Sequence, residues 1–379
     1  MKNVSKIVIV CLVTAAIMRV VEYANRMGPL WAENYYNSSF KAATPSNADD
    51  FVTLLRNGCY NLIESEGKYG ARPIAHYRTV FSWLTRDRSF SEFGYGEYAL
   101  LLHYSYLYAQ DRNDTQLMQL IREKFDEGFK IGGGIIERQD QIAYGNVAID
   151  LYNKTGDVFY KQFADRLFSR LDSLASIDGL ILYREGTKEQ HVDAIGLVCP
   201  FLFYYARTFS NNRADELGNK MAEEYVRWGT DDVTGIPVQT YDIRNYVKMN
   251  HANWGRGISW YLMGIENMAS SDSVVSNRIM TLEHTLLANT SHLYNQYFSQ
   301  GDCPDMSATI PVLLYLKKKN RIGIRRDELT KLLSPYCDAD GILRYSSPSI
   351  AYPHEGVSVT IKSLQSQAML LYMIGSLCK

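Results

Sequence analysis

Apolar and polar stretches recur along this chain in pairs. An apolar, tyrosine-containing stretch gives way to a short polar turn, and then to a charged stretch that is apolar on one side only. Tyr98–Tyr108 precedes Gln116–Phe129, and Ile142–Tyr152 precedes Tyr160–Leu171. The series continues with Ile195–Tyr205 before Ala214–Trp228, Trp260–Met268 before Val274–Tyr297, and Ile310–Leu316 before Arg326–Leu333. A last apolar stretch runs from Leu364 to Leu377. The spacing of Tyr160, Phe163, Leu167, Phe168 and Leu171 is that of one helix face. The first member of each pair is apolar nearly all round and predicts a helix enclosed by protein; the second predicts a helix that covers it from outside. Asn153-Lys154-Thr155-Gly156-Asp157 supplies a glycine stop and an acidic restart. Five such pairs and a sixth inner stretch, spaced roughly 45–60 residues apart, predict an all-α closed toroid of six hairpins, since an open array needs polar capping repeats at its ends. Two strand-like stretches, Gly179–Tyr183 and Ile236–Thr240, fall between hairpins. The cleft is expected where such loops converge on the starts of the inner helices.

The two ends of the chain differ from this pattern at the N-terminal side. Lys2 and Lys6 precede a twelve-residue apolar run, Ile7–Met18, which Arg19 interrupts. A run of that length fits the core of an export signal better than a spanning helix, which needs roughly 18 residues or more. Residues 1–22 therefore predict a signal peptide, or an uncleaved signal anchor in the membrane because no clean A-x-A site follows. Residues 23–45 read as a linker, turning to Asn, Ser, Thr, Pro and Asp from Asn34 onward. Ser46 or Asn47, followed by Asp49 and Asp50, is a helix start ahead of Phe51-Val52-Thr53-Leu54-Leu55. The folded domain is expected to span 46–379, outside the cytoplasm. Tyr345–Gly356, with Pro348, Pro353 and His354, predicts a loop ahead of the last inner helix.

Composition narrows the function classes. A hydrophobic share of 46% in 379 residues supports one large core, and a formal net charge of −1 argues against a nucleic-acid footprint or a polybasic membrane surface. The 28 tyrosines suit a sugar-binding cleft, but each is at least as well explained by packing between helices. Cys11, Cys59, Cys199, Cys303, Cys337 and Cys378 form no C-x-x-C pair, so neither a zinc site nor a dense disulfide framework is indicated. Cys199 lies in an apolar run and predicts a small buried residue.

Candidate chemistry clusters at three helix starts. Asp193 stands where Gln190-His191-Val192 turns into the apolar run Ala194–Tyr205, a place where burial can hold a carboxyl in its acid form. Asp140 opens the second hairpin as Asp193 opens the third, so a toroid brings both to one rim. Two carboxylates in one cleft can separate in pKa into acid and base. A helix N-terminus favours the anion, so burial has to dominate for Asp193 to stay protonated. The plainer reading is two acids that cap helices. The third start is Asn250-His251-Ala252-Asn253-Trp254-Gly255-Arg256-Gly257-Ile258-Ser259-Trp260. Trp254 and Trp260 could offer flat faces to a pyranose ring and Arg256 a fork for a carboxylate; a Trp-packed junction is the alternative.

Asp140 with Gly145, Thr155-Gly156-Asp157, Asp193 with Pro200, and Trp254-x-Arg256-x-x-Ser259-Trp260 occur in that order. Together, over roughly residues 95–270, they resemble the unsaturated glucuronyl and rhamnogalacturonyl hydrolases, glycoside hydrolase families 88 and 105. The resemblance implies an (α/α)6 barrel, the six-hairpin toroid, and an oligosaccharide substrate left by a polysaccharide lyase, with a 4,5-unsaturated uronate at its end. It implies no metal and no organic cofactor. Asp193 would be the general acid and water activator, Asp140 its supporting carboxylate, and Arg256 and Trp260 contacts to the sugar. Ser259 replaces the family's glycine, Gln239 stands where some relatives carry histidine, and His191 stands where they carry tryptophan. Gln239 can hydrogen-bond but cannot exchange a proton, and His191 can take part of that role or simply wall the site. Two other readings stay open: an accessory carbohydrate-binding toroid without turnover, and a different (α/α)6 enzyme such as an ordinary glycosidase or a sugar epimerase. The epimerase is disfavoured by only seven histidines in the chain.

Overall fold

A computed structural model describes residues 13–20, 40–67, 94–177, 179–182, 187–252, 254–298, 300–347, 357 and 361–378. Twelve helices alternate between an inner and an outer layer. The inner ones are α2 (Gly96–Arg112), α4 (Tyr144–Thr155), α6 (Val192–Phe209), α8 (Gly255–Ile265), α10 (Met306–Lys318) and α12 (Leu364–Tyr372). The outer ones are α1 (Ala48–Glu64), α3 (Thr115–Phe125), α5 (Val158–Leu174), α7 (Asn212–Trp228), α9 (Ser273–Leu287) and α11 (Arg326–Leu333). Each inner helix packs on the next, and α12 packs back on α2, so the ring closes as the repeat pattern predicts. This is the all-α (α/α)6 barrel. Helix α1, recognisable in the sequence only by its start, is the outer partner of α12 at the other end of the chain.

The burial pattern follows the sequence pattern. Every residue of α8 and two thirds of those of α6 are buried, whereas α7 buries Ala214, Leu217, Gly218, Met221, Ala222, Tyr225 and Val226, one stripe of an otherwise polar helix. Tyr98, Tyr106, Tyr144, Tyr160, Tyr225, Tyr241, Tyr261 and Tyr294 are fully buried, so many tyrosines serve packing. Cys59, Cys199, Cys337 and Cys378 are buried free thiols among the described residues.

Local signals act as read. Asn47 caps α1 by accepting from the Asp49 and Asp50 amides at 2.8 and 2.9 Å. Gly156 ends α4 at φ +67, and Asp157 Oδ1 restarts the chain by accepting from Phe159 N at 2.9 Å. Three expectations shift. Asp140 lies in a 3-10 turn, Gln139–Ala143, one turn ahead of α4 rather than inside it. Helix α9 ends at Leu287, not at Tyr297, because the chain turns at Asn289, whose side chain donates to Leu293 O at 2.7 Å. One predicted strand is β2 (Leu180–Ile181), which pairs with β1 (Ala175–Ile177); the other overlaps β4 (Val238–Asp242), and a further pair is β6 (Asn295–Tyr297) with β7 (Gln300–Pro304). A three-stranded antiparallel sheet, β3 (Glu189–His191), β4 (Val238–Asp242) and β5 (Lys248–Ala252), runs directly into α6 and α8.

Residues 13–20 form an exposed helix; the rest of the expected export segment and most of the linker lie outside the described residues, as does most of the loop expected at 345–356. Helix α6 is long and apolar enough to cross a membrane by composition, yet it is an inner helix of the barrel, largely buried in protein.

Gly196 marks a close approach of two inner backbones. A Cβ there would stand 2.5 Å from the Trp260 carbonyl oxygen and 2.7 Å from its Cα, so α6 and α8 touch backbone to backbone. Replacing Gly196 by alanine is expected to cost about 1–3 kcal/mol by overpacking, read as a lower denaturation midpoint in urea. An unchanged midpoint would show that the two helices have room to separate.

The inner-helix rim as candidate active site

Because each outer helix returns the chain to its starting end, all six inner helices run in one direction. Their N-terminal ends meet at one rim, and six contacts document it. Gly96 N donates to Asp140 Oδ2 at 3.3 Å. Glu97, in the first turn of α2, forms an ion pair with Arg256, in the first turn of α8. The Arg256 Nη1 donates to Ser347 O at 3.1 Å. Ser347 N donates to Asp305 Oδ1 at 3.1 Å, and Asp305 in turn caps α10 by accepting from Ser307 N at 2.8 Å. Ser259 Oγ donates to Ser307 O at 3.0 Å, stitching α8 to α10; the hydroxyl at this position thus does structural work between two inner helices.

Asp193 is the second residue of α6. The residue keeps a little contact with solvent, but its Oδ1 is sealed and has no hydrogen-bond partner among the described residues. Burial pushes its carboxyl up to about 6; the Arg256 charge and the helix's own N–H pull it down, and the Glu97 charge pushes it further up. Burial therefore dominates over the helix N-terminus. Tyr225, from α7, is close enough for its hydroxyl to feel the Asp193 charge, and it donates to Val238 O at 2.7 Å.

Asp140 shares the rim but is differently employed. Its carboxylate accepts from Arg138, with Nε to Oδ1 at 2.8 Å, as well as from Gly96 N. Arg138 stacks over the Tyr95 ring at 4.5 Å. A Cβ on Gly96 would lie 2.3 Å from the Asp140 carbonyl oxygen, so glycine is what lets α2 begin against this turn. Asp140 thus fixes the start of the helix that carries Glu97.

Trp254 and Trp260 keep only 7% and 5% of their surface exposed, which leaves ring edges rather than whole faces for a ligand. Arg256 lies over the Trp260 ring at 6.0 Å and is itself 6% exposed. His191 leads into α6 from β3; its Nδ1 is 3.2 Å from Thr240 Oγ1 and its Nε2 3.3 Å from Glu189 Oε2. Gln239 sits half-buried on β4, opposite a bulge of β5 in which Asn250 adopts φ +64. The rim thus brings together Asp140, Asp193, Arg256 and Trp260, with His191 and Gln239 on the adjoining sheet. Glu97 was not among the sequence candidates. Its one signal was positional, an acid in the first turn of an inner helix, as Asp193 is.

Among the described residues no group of three or more His, Cys, Asp or Glu side chains is arranged to hold a metal ion. A polar cluster outside the rim joins α2, α4 and α6 beyond their first turns. There Asp150 accepts from Tyr204 Oη at 2.8 Å and faces His103 Nδ1 at 2.6 Å. These groups tie three inner helices together away from the helix starts.

The profile of the family described as Glycosyl Hydrolase Family 88 matches residues 89–278. No curated protein matches the chain. Among solved structures, a possible member of the GH105 family from Salmonella enterica is similar at 15% identity, covering 88% of this chain and 96% of its own, with a TM-score of 0.69. An unsaturated glucuronyl hydrolase from a Bacillus species is similar at 14% identity, over 85% and 93% of the two chains, with a TM-score of 0.59. An alpha-1,6-mannanase of a Salegentibacter species is similar at 12% identity, over 88% and 100%, with a TM-score of 0.58. At these identities the structures establish the shared fold.

The burial of Asp193 has a cost in stability that can be measured. Its folded-state carboxyl titrates near 6 against 3.8 for the free side chain, so folding takes up a proton between those values. That contribution is fully present below about pH 4 and is lost as pH rises through about 6. Asp193→Asn is therefore expected to raise the melting temperature at pH 8 and to change it less at pH 4. Equal shifts at both pH values would show that the carboxyl is not desolvated.

Proposed function

The chain belongs to Glycosyl Hydrolase Family 88, and from that premise we propose that it hydrolyses oligosaccharides ending in a 4,5-unsaturated uronyl residue, with Asp193 as the acid. The observation that carries this reading is the Asp193 carboxyl itself, held near 6 by burial at a rim where an arginine can meet a sugar carboxylate.

The chemistry follows from what such an acid can reach. Asp193 gives its proton to C4 of the enol ether, and the positive charge that develops is shared between C5 and the ring oxygen. Water adds at C5 and returns its proton to the Asp193 carboxylate, which restores the acid. The C5 hemiketal opens to a ketone, and the sugar at C1 leaves as an alcohol. No nucleophile attacks the anomeric carbon, so the separation of two carboxylates does not set the stereochemical outcome. In this reading Arg256 meets the uronate carboxylate, the edges of Trp254 and Trp260 border the ring, and His191 and Gln239 line the wall formed by β3 and β4. Asp140 supports the site through Arg138 and Gly96. We also propose that the protein works outside the cytoplasm, with residues 1–22 as its signal peptide or anchor. The competing reading is a sugar-binding protein without turnover, favoured by the fact that Asp140 and Arg256 already have charged partners.

The two readings part on a direct assay. Lyase-generated unsaturated disaccharides should lose the ultraviolet absorbance of their double bond when mixed with the protein. Asp193→Asn should lower the rate by about 10²- to 10⁴-fold, the usual contribution of a general acid. In the wild type, kcat/KM should fall about tenfold per pH unit above about 6, as the acid of the free enzyme ionises. Sugar binding without any loss of absorbance across a broad disaccharide panel would favour the accessory protein.

A further inference from the structure

The partner that Arg256 has in this structure is not the one the proposed reaction needs. Its guanidinium is buried, with 7% of the side chain exposed, and it is held by the Glu97 carboxylate and by Ser347 O. Glu97 is the more exposed member of that pair, at 29%. A ligand that comes to the rim from solvent therefore meets Glu97 first, and reaches Arg256 at the place where the Glu97 oxygens stand. The spatial logic is specific to this pair. Asp140 anchors Gly96, Gly96 starts α2, and the next residue of α2 is Glu97.

We propose that Glu97 is a placeholder carboxylate: it holds Arg256 before substrate arrives, and the carboxylate of the incoming uronyl sugar takes its place on the guanidinium. This rests on the reading of the substrate as an unsaturated uronide. The exchange is one anion for another, so Arg256 is neutralised in both states. That matters for Asp193, whose carboxyl faces Arg256 from α8, Glu97 from α2 and Tyr225 from α7. The remaining charged groups nearby are committed elsewhere: Asp140 to Arg138, and His191 to Thr240 and Glu189. An Arg256 without an anion would draw the Asp193 proton off, by favouring the carboxylate. Glu97 is thus a positioning residue that keeps the acid charged with its proton until the sugar's own carboxylate assumes that task.

The full chain with Glu97→Gln and with Glu97→Asp tests this, glutamine being isosteric and aspartate keeping the charge. The free enzyme is followed by carbon NMR of labelled aspartate carboxyls, with Asp193 assigned by its absence in Asp193→Asn. Glu97→Gln should move the Asp193 midpoint down by on the order of one unit, and Glu97→Asp should bring it back toward the wild-type value. Free glucuronate, used as a calorimetric probe, should bind several-fold tighter to Glu97→Gln because no internal anion competes. With the unsaturated disaccharide, the basic limb of kcat/KM should move down in Glu97→Gln while that of kcat stays, since the first reports the free enzyme and the second the substrate complex. An unmoved Asp193 midpoint, or glucuronate bound no tighter, overturns the proposal. A kcat limb that shifts along with kcat/KM overturns the exchange itself. A wild type that turns over no disaccharide sinks the reading of the substrate, while the NMR and glucuronate measurements still decide on Glu97.

Discussion

Close approach between neighbouring inner helices is the constraint on which the rim depends. Gly196 lets α6 lie against the backbone of Trp260, and Gly96 lets α2 begin against the carbonyl of Asp140. With side chains of ordinary size at those two positions the ring would widen, and residues in the first turns of different helices would no longer touch. Narrowness also concentrates charge. Six helix N-termini point their unpaired amides and positive dipole ends toward one opening, which makes the rim favourable for anions before any side chain is considered. Asp140, Asp193 and Glu97 are gathered there against Arg138 and Arg256. The geometry decides which acid is paired, and Asp193 is the one left without a salt bridge among the described residues.

That distribution gives three acids three different settings. Asp140 is held by its partners, its oxygens accepting from a guanidinium and an amide. Glu97 is spent on Arg256. Asp193 is sealed on one oxygen and is raised by burial in spite of a helix N-terminus that works against it. Burial outweighs the Arg256 charge and the amide that oppose it, and the carboxyl it raises to about 6 stays within reach of the neighbouring charges.

The toroid could be read in the sequence because its cause is local. Whether a helix is apolar all round or on one face is written in a window of a dozen residues, as Ile195–Tyr205 and Ala214–Trp228 show. Caps and stops are equally local, and Asn47 and Gly156 act where they were expected. Asp193 was legible for the same reason, as one carboxylate at a polar-to-apolar transition. Glu97 was not, because its meaning lies in a partner 159 residues away. The three-stranded sheet escaped for a related reason: β3 is only three residues long, and the bulge of β5 turns on an Asn250 backbone that no apolar alternation announces. The overlong reading of α9 came from Tyr294 and Tyr297, which continue the apolar series, but Tyr294 is buried in a loop and Tyr297 lies half-buried on β6.

The closure of the ring by α12 on α2, with α1 outside them, also orders the events of folding. Contacts within each hairpin join residues a few tens of positions apart and can form as soon as the chain is available. The last seam joins residues that are more than 250 positions apart, as the Arg112 Nε to Gly375 O bond at 2.7 Å illustrates. Contacts of such separation are slow to form, since the loop-closure entropy is met before the contact repays it. An incomplete chain holds a crescent of hairpins with two apolar flanks open to water, and that crescent is the state in which sticking to another copy, or to a chaperone, competes with folding. The rim with its acids comes into being only at the final step, so a site of this kind has no partial form.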